Sequence, residues 1–333
     1  MTVRALALLS GGLDSTLAIR IVQEQGIEVT ALNFTSPFCN CTRKDAGCSN
    51  QAVQVAKELR IRIIMKAKGK EFLRVIENPP HGYGKQMNPC IDCRILMLRQ
   101  AREVMEEVGA AFIITGEVLG QRPMSQRRDT INLIERESGL RRLVLRPLSA
   151  KFFPPTLAEE QGLVDREKLL QISGRSRKVQ LDLAEQFDLK GFACPAGGCL
   201  LTDAVIARRL RDLFANRPDY AMKDIRLLSV GRHFRLNDRV KLVVGRNEEE
   251  NNKISAFPLH SDLLIRPHQF SGPVAAACGQ VKAPDLALAG GIIARYGKPG
   301  HPRPCVTVTS AHGTEKLVVP RVLTDADIDP LRI

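Results

Sequence analysis

Three observations predict an α/β protein built on a parallel sheet. The apolar run Ala5-Leu6-Ala7-Leu8-Leu9 passes straight into two glycines and then into a helical pattern. Strand-like and helix-like stretches alternate from there to about residue 202, the signature of βαβ units with helices on both faces of a sheet. Beyond residue 203 the pattern changes to short alternating strands, which predicts a separate and smaller α+β domain.

Taken in order, residues 5–9 read as the first strand. Leu17, Ile19, Ile21 and Val22 mark a helix from about residue 16. Residues 27–34 read as the second strand, 51–59 as a helix and 62–65 as the third strand. A strong amphipathic helix follows at 95–108, then strands at 111–115 and 142–148, and helices at 165–172 and 177–187. A basic helix at 204–214 leads into a linker at 216–219. Strands at 227–236, 240–244, 263–265, 306–308 and 317–319 and a helix at 285–295 complete the chain. The expected organisation is therefore a domain at 1–202, a basic helix and linker at 203–224, and an α+β domain at 225–333.

Ser10-Gly11-Gly12-Leu13-Asp14-Ser15 joins the first strand to the first helix. Glycines allow positive φ and close backbone approach, so successive amide N–H groups face one concavity. The helix behind them adds unpaired N–H groups and a positive dipole end, which suits a phosphate. A carboxylate at Asp14 is out of place in an anion site unless it holds Mg²⁺ or positions a leaving group, which points to nucleotide chemistry. The Gly-Lys-Ser/Thr ending of a Walker A loop is missing. A plain Gly-Gly turn before a capped helix is the competing reading. Ligands of parallel sheets bind beyond the carboxyl ends of the strands. That places Phe34, Thr115, Gly116 and Gln121 on the same rim as Ser10, Gly11, Gly12, Asp14 and Ser15.

Nine cysteines in a chain without an export signal favour metal or sulfur chemistry over a disulfide framework. Cys90 and Cys93 form a C-x-x-C just ahead of the 95–108 helix, and Cys194 and Cys199 form a second loop-borne pair. Three readings stay open: a structural Zn²⁺ held by four thiols, a redox dithiol or buried thiols, and a catalytic sulfur centre. The last is either three cysteines on a [4Fe–4S] cluster or a cysteine carrying a persulfide. Cys39, Cys41 and Cys48 form a third set, read as a second metal site joined by His81 or as ordinary loop thiols. Cys278 and Cys305 stand in apolar strand-like contexts and are expected to be buried core thiols.

The chain has 333 residues, 44% apolar and 26% charged, and no apolar run near the ~18 residues needed to span a bilayer. Its short amino-terminal apolar run leads into the loop rather than a cleavage site, so a cytoplasmic location without membrane contact is expected. Forty-nine basic against 36 acidic residues give a formal charge of +13, which favours a nucleic-acid partner over a solvated basic surface. With no Trp and three Tyr, phosphate-led binding of a folded RNA is expected rather than base stacking. Residues 122–146 hold seven arginines against three acids, so Arg122, Arg127 and Arg128, with Arg208 and Arg209, are the candidate phosphate contacts.

The order Ser-Gly-Gly-x-Asp-Ser after the first strand resembles the signature of the PP-loop pyrophosphatases, which are adenine-nucleotide alpha-hydrolase-like in fold. Together with Thr115-Gly116-Glu117-Val118-Leu119-Gly120-Gln121 and Ser125-Gln126, it is similar to the adenylation core of tRNA 4-thiouridine synthetases. Asn88-Pro89 before Cys90 and the late Gly-Gly-Cys199 resemble the two-cysteine layout of tRNA 2-thiouridylases. Cys90, Cys93 and one distant cysteine resemble the cluster-dependent tRNA thiolases. The resemblance covers about residues 1–202. It implies ATP with Mg²⁺ at the loop, a tRNA uridine as substrate, and Asp14, Cys90, Cys93 and Cys199 in the chemistry, with Cys194 as an alternative third or fourth ligand. The amino-terminal RNA-capture and rhodanese-like regions of many such synthetases are missing, so sulfur is expected from sulfide or a cysteine desulfurase system. Val230-Gly231-Arg232, Val244-Gly245-Arg246-Asn247 with Asn251, and His260 through Gly272-Pro273-Val274 resemble the RNA-binding domain of NFACT-type proteins. Two other functions stay open: a PP-loop enzyme adenylating a small molecule, and an RNA-binding factor whose loop is vestigial. The residues leave the thiolated carbonyl and the oligomeric state undetermined.

Overall fold

The structure, a computed structural model, describes residues 2–39, 48–189, 198–257, 262–298 and 303–333. It divides into two compact units, Met1–Thr202 and Asp203–Ile333. Among the described residues, no helix is long and apolar enough to cross a membrane.

The first unit runs β1 (Arg4–Leu8), α1 (Leu13–Gln23), β2 (Glu28–Thr35), α2 (Cys48–Glu58), β3 (Arg62–Ala67), α3 (Gly69–Glu77) and α4 (Cys90–Glu107). It continues with β4 (Phe112–Thr115), α5 (Arg128–Ser138), β5 (Val144–Leu145), α6 (Leu157–Glu160) and α7 (Lys178–Gln186). The five strands are all parallel, in the order β3-β2-β1-β4-β5. β1 is central and alternates between two cores. Ala5, Ala7 and Leu9 pack with Leu17 and Ile21 of α1 and with Ala52 and Val55 of α2. Leu6 and Leu8 pack with Ile95, Leu98 and Val104 of α4 and Ile134 of α5. Burial on both sides explains why this strand is a continuous apolar run.

From β1 the chain steps to β2 and β3 on one side, then returns to β4 and β5 on the other. The carboxyl ends of β1 and β4 are thus the topological switch point, where open α/β sheets bind ligands. Leu8 of β1 pairs with Thr115 of β4, so residues 10–15 and 116–121 leave the sheet side by side.

The expected 142–148 strand shortens to β5, and two expected helices form differently. The α4 helix begins at Cys90, not Ile95, so the C-x-x-C forms its first turn; the Cys93 amide donates to Pro89 O at 2.8 Å. Asp92 hides this start from a periodicity reading, because it is a carboxylate at a buried position. The 165–172 stretch has the apolar spacing of a helix but folds as one 3₁₀ turn, Arg166–Lys168. Its Leu170 and Ile172 amides donate to Pro147 O and Leu148 O, both at 2.8 Å, so tertiary pairing overrides local propensity.

The second unit runs α8 (Ala204–Asn216), α9 (Met222–Leu227), β6 (Arg232–Asn237), β7 (Val240–Val244), α10 (Glu248–Ser255), β8 (Leu263–His268) and β9 (Ala275–Gly279). It ends with α11 (Ala283–Tyr296), β10 (Cys305–Ser310), β11 (Gly313–Val318) and α12 (Asp325–Ile328). Its six strands form an antiparallel sheet, β11-β10-β8-β9-β7-β6. Phe234, Leu242, Val244 and Ala277 pack against Ile292 and Ile293 of α11 on one face. Val243, Ala276 and Cys278 pack with Leu227 and Ile254 on the other.

The glycines noted in this half are packing devices. A Cβ on Gly231 would stand 2.5 Å from Val244 O, and one on Gly245 2.1 Å from Asn251 Oδ1. Asn251 Oδ1 in turn accepts from the Val274 amide at 3.0 Å. His260 lies outside the described residues. Cys278 is buried as expected, but Cys305 is half-exposed. In β10 Val306 and Val308 turn inward, and the two-residue period places Cys305 on the opposite face.

Candidate active site

The 10–15 loop is shaped by its own hydroxyls. Ser15 Oγ donates to Gly12 O at 2.8 Å and lies 3.1 Å from Ser10 Oγ. Gly11 has φ +78°, and a Cβ there would stand 2.9 Å from the Ala52 amide nitrogen. The loop start is stitched to the neighbouring strand by the buried Asn33, whose Nδ2 donates to Leu9 O at 2.7 Å. Phe34, next along β2, is partly buried against Leu8, Leu32 and Ile64.

Gly116 brings the second loop against the first. A Cβ at this position would lie 2.5 Å from the Asp14 carbonyl carbon and from the Ser15 nitrogen. Gln121 Nε2 then donates to Asp14 Oδ2 at 3.2 Å, and Arg177 Nη2 stands 3.8 Å from the same oxygen. Asp14 Oδ1 is buried and has no hydrogen-bond partner among the described residues. An ionised oxygen left bare in this way calls for a cation, so the donor set fits Mg²⁺.

Behind this rim lies a buried ion-pair network that sequence reading missed. Glu117 is 3% exposed. Its Oε2 accepts from Arg146 Nε at 3.0 Å and from the Thr115 hydroxyl at 3.3 Å, and its Oε1 is 3.3 Å from Arg94 Nε. Arg146 also pairs with Glu135. Burial alone would push the Glu117 carboxyl up, but Arg94 and Arg146 outweigh it and hold it below the usual value. Arg94 follows Cys93 on α4, so the network ties the cysteine helix to the β4 rim. Removing one member leaves uncompensated charge in the interior. Arg146→Met is expected to cost about 3–5 kcal/mol of stability, read as a fall in urea midpoint. A loss below about 1 kcal/mol, the range of surface pairs, would show the network to be dispensable.

The structure gathers four cysteines. Cys90 and Cys93 share one face of the first turn of α4. Cys199 forms a backbone bridge with Cys39, beside a Leu200 amide bond to Phe38 O at 2.8 Å. Met87 N donates to Leu201 O at 3.1 Å and closes the group. Burial pushes the Cys199 thiol up to about 11, against a smaller lowering by the Leu201 backbone hydrogen bond. Cys90 is raised by burial and by Cys93, while Arg122 and Arg94 oppose that rise. Lys68, another residue sequence reading missed, donates from Nζ to Cys93 Sγ at 3.1 Å. Among the described residues, no three of these sulfurs lie within 4.8 Å of one another. That is wider than a single tetrahedral Zn²⁺ with Zn–S bonds of about 2.3 Å requires. Cys41 and Cys194 lie outside the described residues, and Cys48 opens α2.

Arg122 links the two halves electrostatically. The residue is exposed, but its guanidinium sits among neighbouring groups whose crowding, with Arg94, lowers it, while Cys90, Asp14 and Glu117 act in the opposite sense. One side chain thus feels both the phosphate-loop carboxylate and a thiol of the C-x-x-C.

His81, considered as an added metal ligand, has both ring nitrogens engaged. Nδ1 is 2.7 Å from Asp92 Oδ1, and Nε2 is 3.4 Å from Glu137 Oε1. The Asp92 hydrogen bond raises the imidazole above its ordinary 6.5, against a smaller lowering by burial. A histidine raised on folding stabilises fully below its unfolded pKa and loses that contribution as pH rises through the folded value. The stability advantage of the parent over His81→Gln is therefore expected to be largest below pH 6.5 and to shrink above it. Urea midpoints from acid to mildly alkaline pH check this, and a pH-independent difference would contradict it.

Of the arginines expected to meet phosphate, Arg127 and Arg208 are exposed. Arg128 is also exposed, donating to Phe152 O at 2.7 Å and lying over the Phe153 ring. Arg209 is a correction. It is buried, and its guanidinium donates to Leu228 O at 2.6 Å and Gly231 O at 3.0 Å, holding α8 to the start of β6. An amphipathic helix carries basic residues on both faces, and spacing alone does not say which one is satisfied inside.

Comparison with known proteins follows the same division. Residues 1–151 match the family model described as thiamine biosynthesis protein (ThiI). Residues 231–329 match the NFACT protein RNA binding domain. A probable tRNA sulfurtransferase of Lysinibacillus sphaericus is 30% identical over 164 residues, 48% of this chain and 38% of that protein. One of Methanosarcina acetivorans is 33% identical over 128 residues, 35% of this chain and 28% of that protein. The chain therefore spans well under half the length of these relatives. A solved 4-thiouridine synthetase–RNA complex with bound ATP aligns at 24% identity and TM-score 0.37, over 55% of this chain and 50% of that one. The ThiI model thus matches the part that carries the switch-point loop and Cys90 and Cys93, and the NFACT model matches the part that carries the antiparallel sheet.

Proposed function

We propose that this protein replaces oxygen by sulfur on a tRNA uridine at the expense of ATP. One observation carries the reading: the 116–121 loop holds Asp14 through Gln121 Nε2 at 3.2 Å and, through Glu117 Oε1 at 3.3 Å from Arg94 Nε, the helix turn that bears Cys90 and Cys93. An adenylating centre and a sulfur centre then serve one substrate. The ThiI match and the relatives named as probable tRNA sulfurtransferases support it, as does the RNA-binding family match.

In this mechanism the amides of the 10–15 loop and the start of α1 hold the ATP phosphates. Asp14, oriented by Gln121, would hold Mg²⁺ through its bare Oδ1. The uracil carbonyl oxygen attacks the α-phosphorus, the bond to the β-phosphate oxygen breaks, and pyrophosphate leaves. Arg122 offsets the negative charge that develops. A sulfur nucleophile of hydrosulfide type then forms a bond to the activated ring carbon. AMP departs with the original oxygen, and the sulfur loses its proton. Cys90, Cys93 and Cys199 would hold a [4Fe–4S] cluster, which when bound would carry the sulfide that is transferred. Lys68 keeps Cys93 oriented, and Cys194 is left as an alternative ligand.

Anaerobic purification with iron, sulfide and zinc analysis tests the centre, and thiolation of tRNA with ATP and sulfide tests the reaction. Iron and sulfide in equal amount with sulfur entering tRNA is the expected result. Pyrophosphate exchange stimulated by a small acid and not by tRNA would overturn the reading in favour of a small-molecule adenylating enzyme.

A further inference from the structure

The second unit contains a cavity of about 530 Å³ on the sheet face turned away from α11. That volume suits a small ligand. Its floor is a row of cross-strand neighbours: Arg235 of β6 opposite Lys241 of β7, and Lys241 opposite Cys278 of β9. Like charges placed directly opposite in a sheet repel. Here both rely on one carboxylate, Asp212 of α8, whose Oδ2 is 2.6 Å from Arg235 Nη2 and 3.3 Å from Lys241 Nζ. Lys241 is only 7% exposed, so this positive excess is held largely out of water. Arg239 in the β6–β7 turn adds an exposed cation at the edge.

The other charges do not cancel the excess. Asp224 and the buried Asp262 are matched by Arg217 and Lys223, at 3.0 Å for Arg217–Asp224 and 2.5 Å for Lys223–Asp262, and Asp219 is exposed on the turn after α8. The exposed Pro218, with the edges of the buried Leu213 and Leu227, supplies an apolar wall, and Gln280 a polar group at the end of β9. The cavity thus offers cations short of an anion beside a surface for an uncharged, flat or ring-shaped group.

We propose that this cavity binds a nucleoside monophosphate unit, its phosphate on Arg235, Lys241 and Arg239 and its sugar and base against Pro218 and the edges of Leu213 and Leu227. That the nucleotide belongs to an RNA, as a phosphorylated end or an extruded residue, rests on the reading given above. The shared chemistry does not.

Calorimetry on the intact chain tests this with four probes: inorganic phosphate, UMP, a 5′-phosphorylated RNA trinucleotide and its unphosphorylated twin. Arg239→Glu and Lys241→Met are compared with the parent, which cancels any contribution from the 10–15 loop. The phosphorylated trinucleotide is expected to bind more tightly than its twin. It is expected to lose about tenfold or more in affinity on Arg239→Glu, with the melting temperature unchanged. Since Lys241 is buried and its variant risks misfolding, the surface Arg239→Glu result decides. The same loss seen for UMP but not for the trinucleotide supports the cavity and assigns it to a free nucleotide. Equal affinity of parent and Arg239→Glu for every phosphate-bearing probe overturns the proposal. Absence of sulfur transfer with this binding intact would instead count against the thiolation reading alone.

Discussion

Asp14→Asn is expected to lower tRNA-dependent AMP formation by about 10²–10³-fold, the scale of losing one preorganised electrostatic contact in a transition state. The substitution keeps the shape of the side chain and an oxygen for Gln121 to donate to. It removes the charge at an oxygen that is buried without a partner. The loop should survive, because its geometry rests on Ser15, Gly12 and the Gly116 contact rather than on the carboxylate. Binding of tRNA, measured by filter retention, should be close to that of the parent. Pyrophosphate release at the parental rate would remove Asp14 from the chemistry, and with it the case for a cation at this position.

Cys93→Ala should separate the two half-reactions. Sulfur incorporation into tRNA is expected to fall at least about a hundredfold, since losing a ligand exceeds the 10–100-fold cost of losing a ligand's supporting contact. AMP formation should continue, because Asp14, Gln121 and Gly116 are untouched. The variant leaves Lys68 without the sulfur it now contacts at 3.1 Å, so a Lys68→Met companion shows whether that lysine matters once the thiol is gone. Thiolated nucleoside measured by mass spectrometry against AMP released gives both rates from one reaction. A Cys93→Ala protein thiolating as fast as the parent would end the role of the C-x-x-C as a sulfur centre.

Local signals were legible in the sequence wherever one residue type had one physical use. The apolar run ending in two glycines gave β1, its loop and α1. The βαβ alternation gave the parallel sheet. Helices α3, α5, α6, α9, α10 and α12 were passed over. All but α5 are short, and α5 sits in an arginine-rich stretch that reads as a charged loop. β9 was missed because Ala275-Ala276-Ala277 has low strand propensity; it becomes a strand by pairing with β7 and β8.

Tertiary structure decided what each charged or sulfur-bearing side chain is for. Arg209 and Arg208 are adjacent on one helix, yet one is buried on backbone carbonyls and the other is exposed. Lys68 and Arg146 carry no motif and Glu117 sits in one that does not show its role; their meaning comes from partners 25 to 29 positions away along the chain. The sequence by itself determined a Gly-Gly loop between the first strand and the first helix, and a C-x-x-C ahead of a helix whose first turn it missed. Only the folded chain brought Cys199 to Cys39 and tied the loop that holds Asp14 to the cysteine helix through Glu117 and Arg94. Hydrophobic periodicity and turn chemistry act between near neighbours and can be read in order. Electrostatic coupling depends on distance in space, which a parallel sheet sets by returning each strand to the same edge.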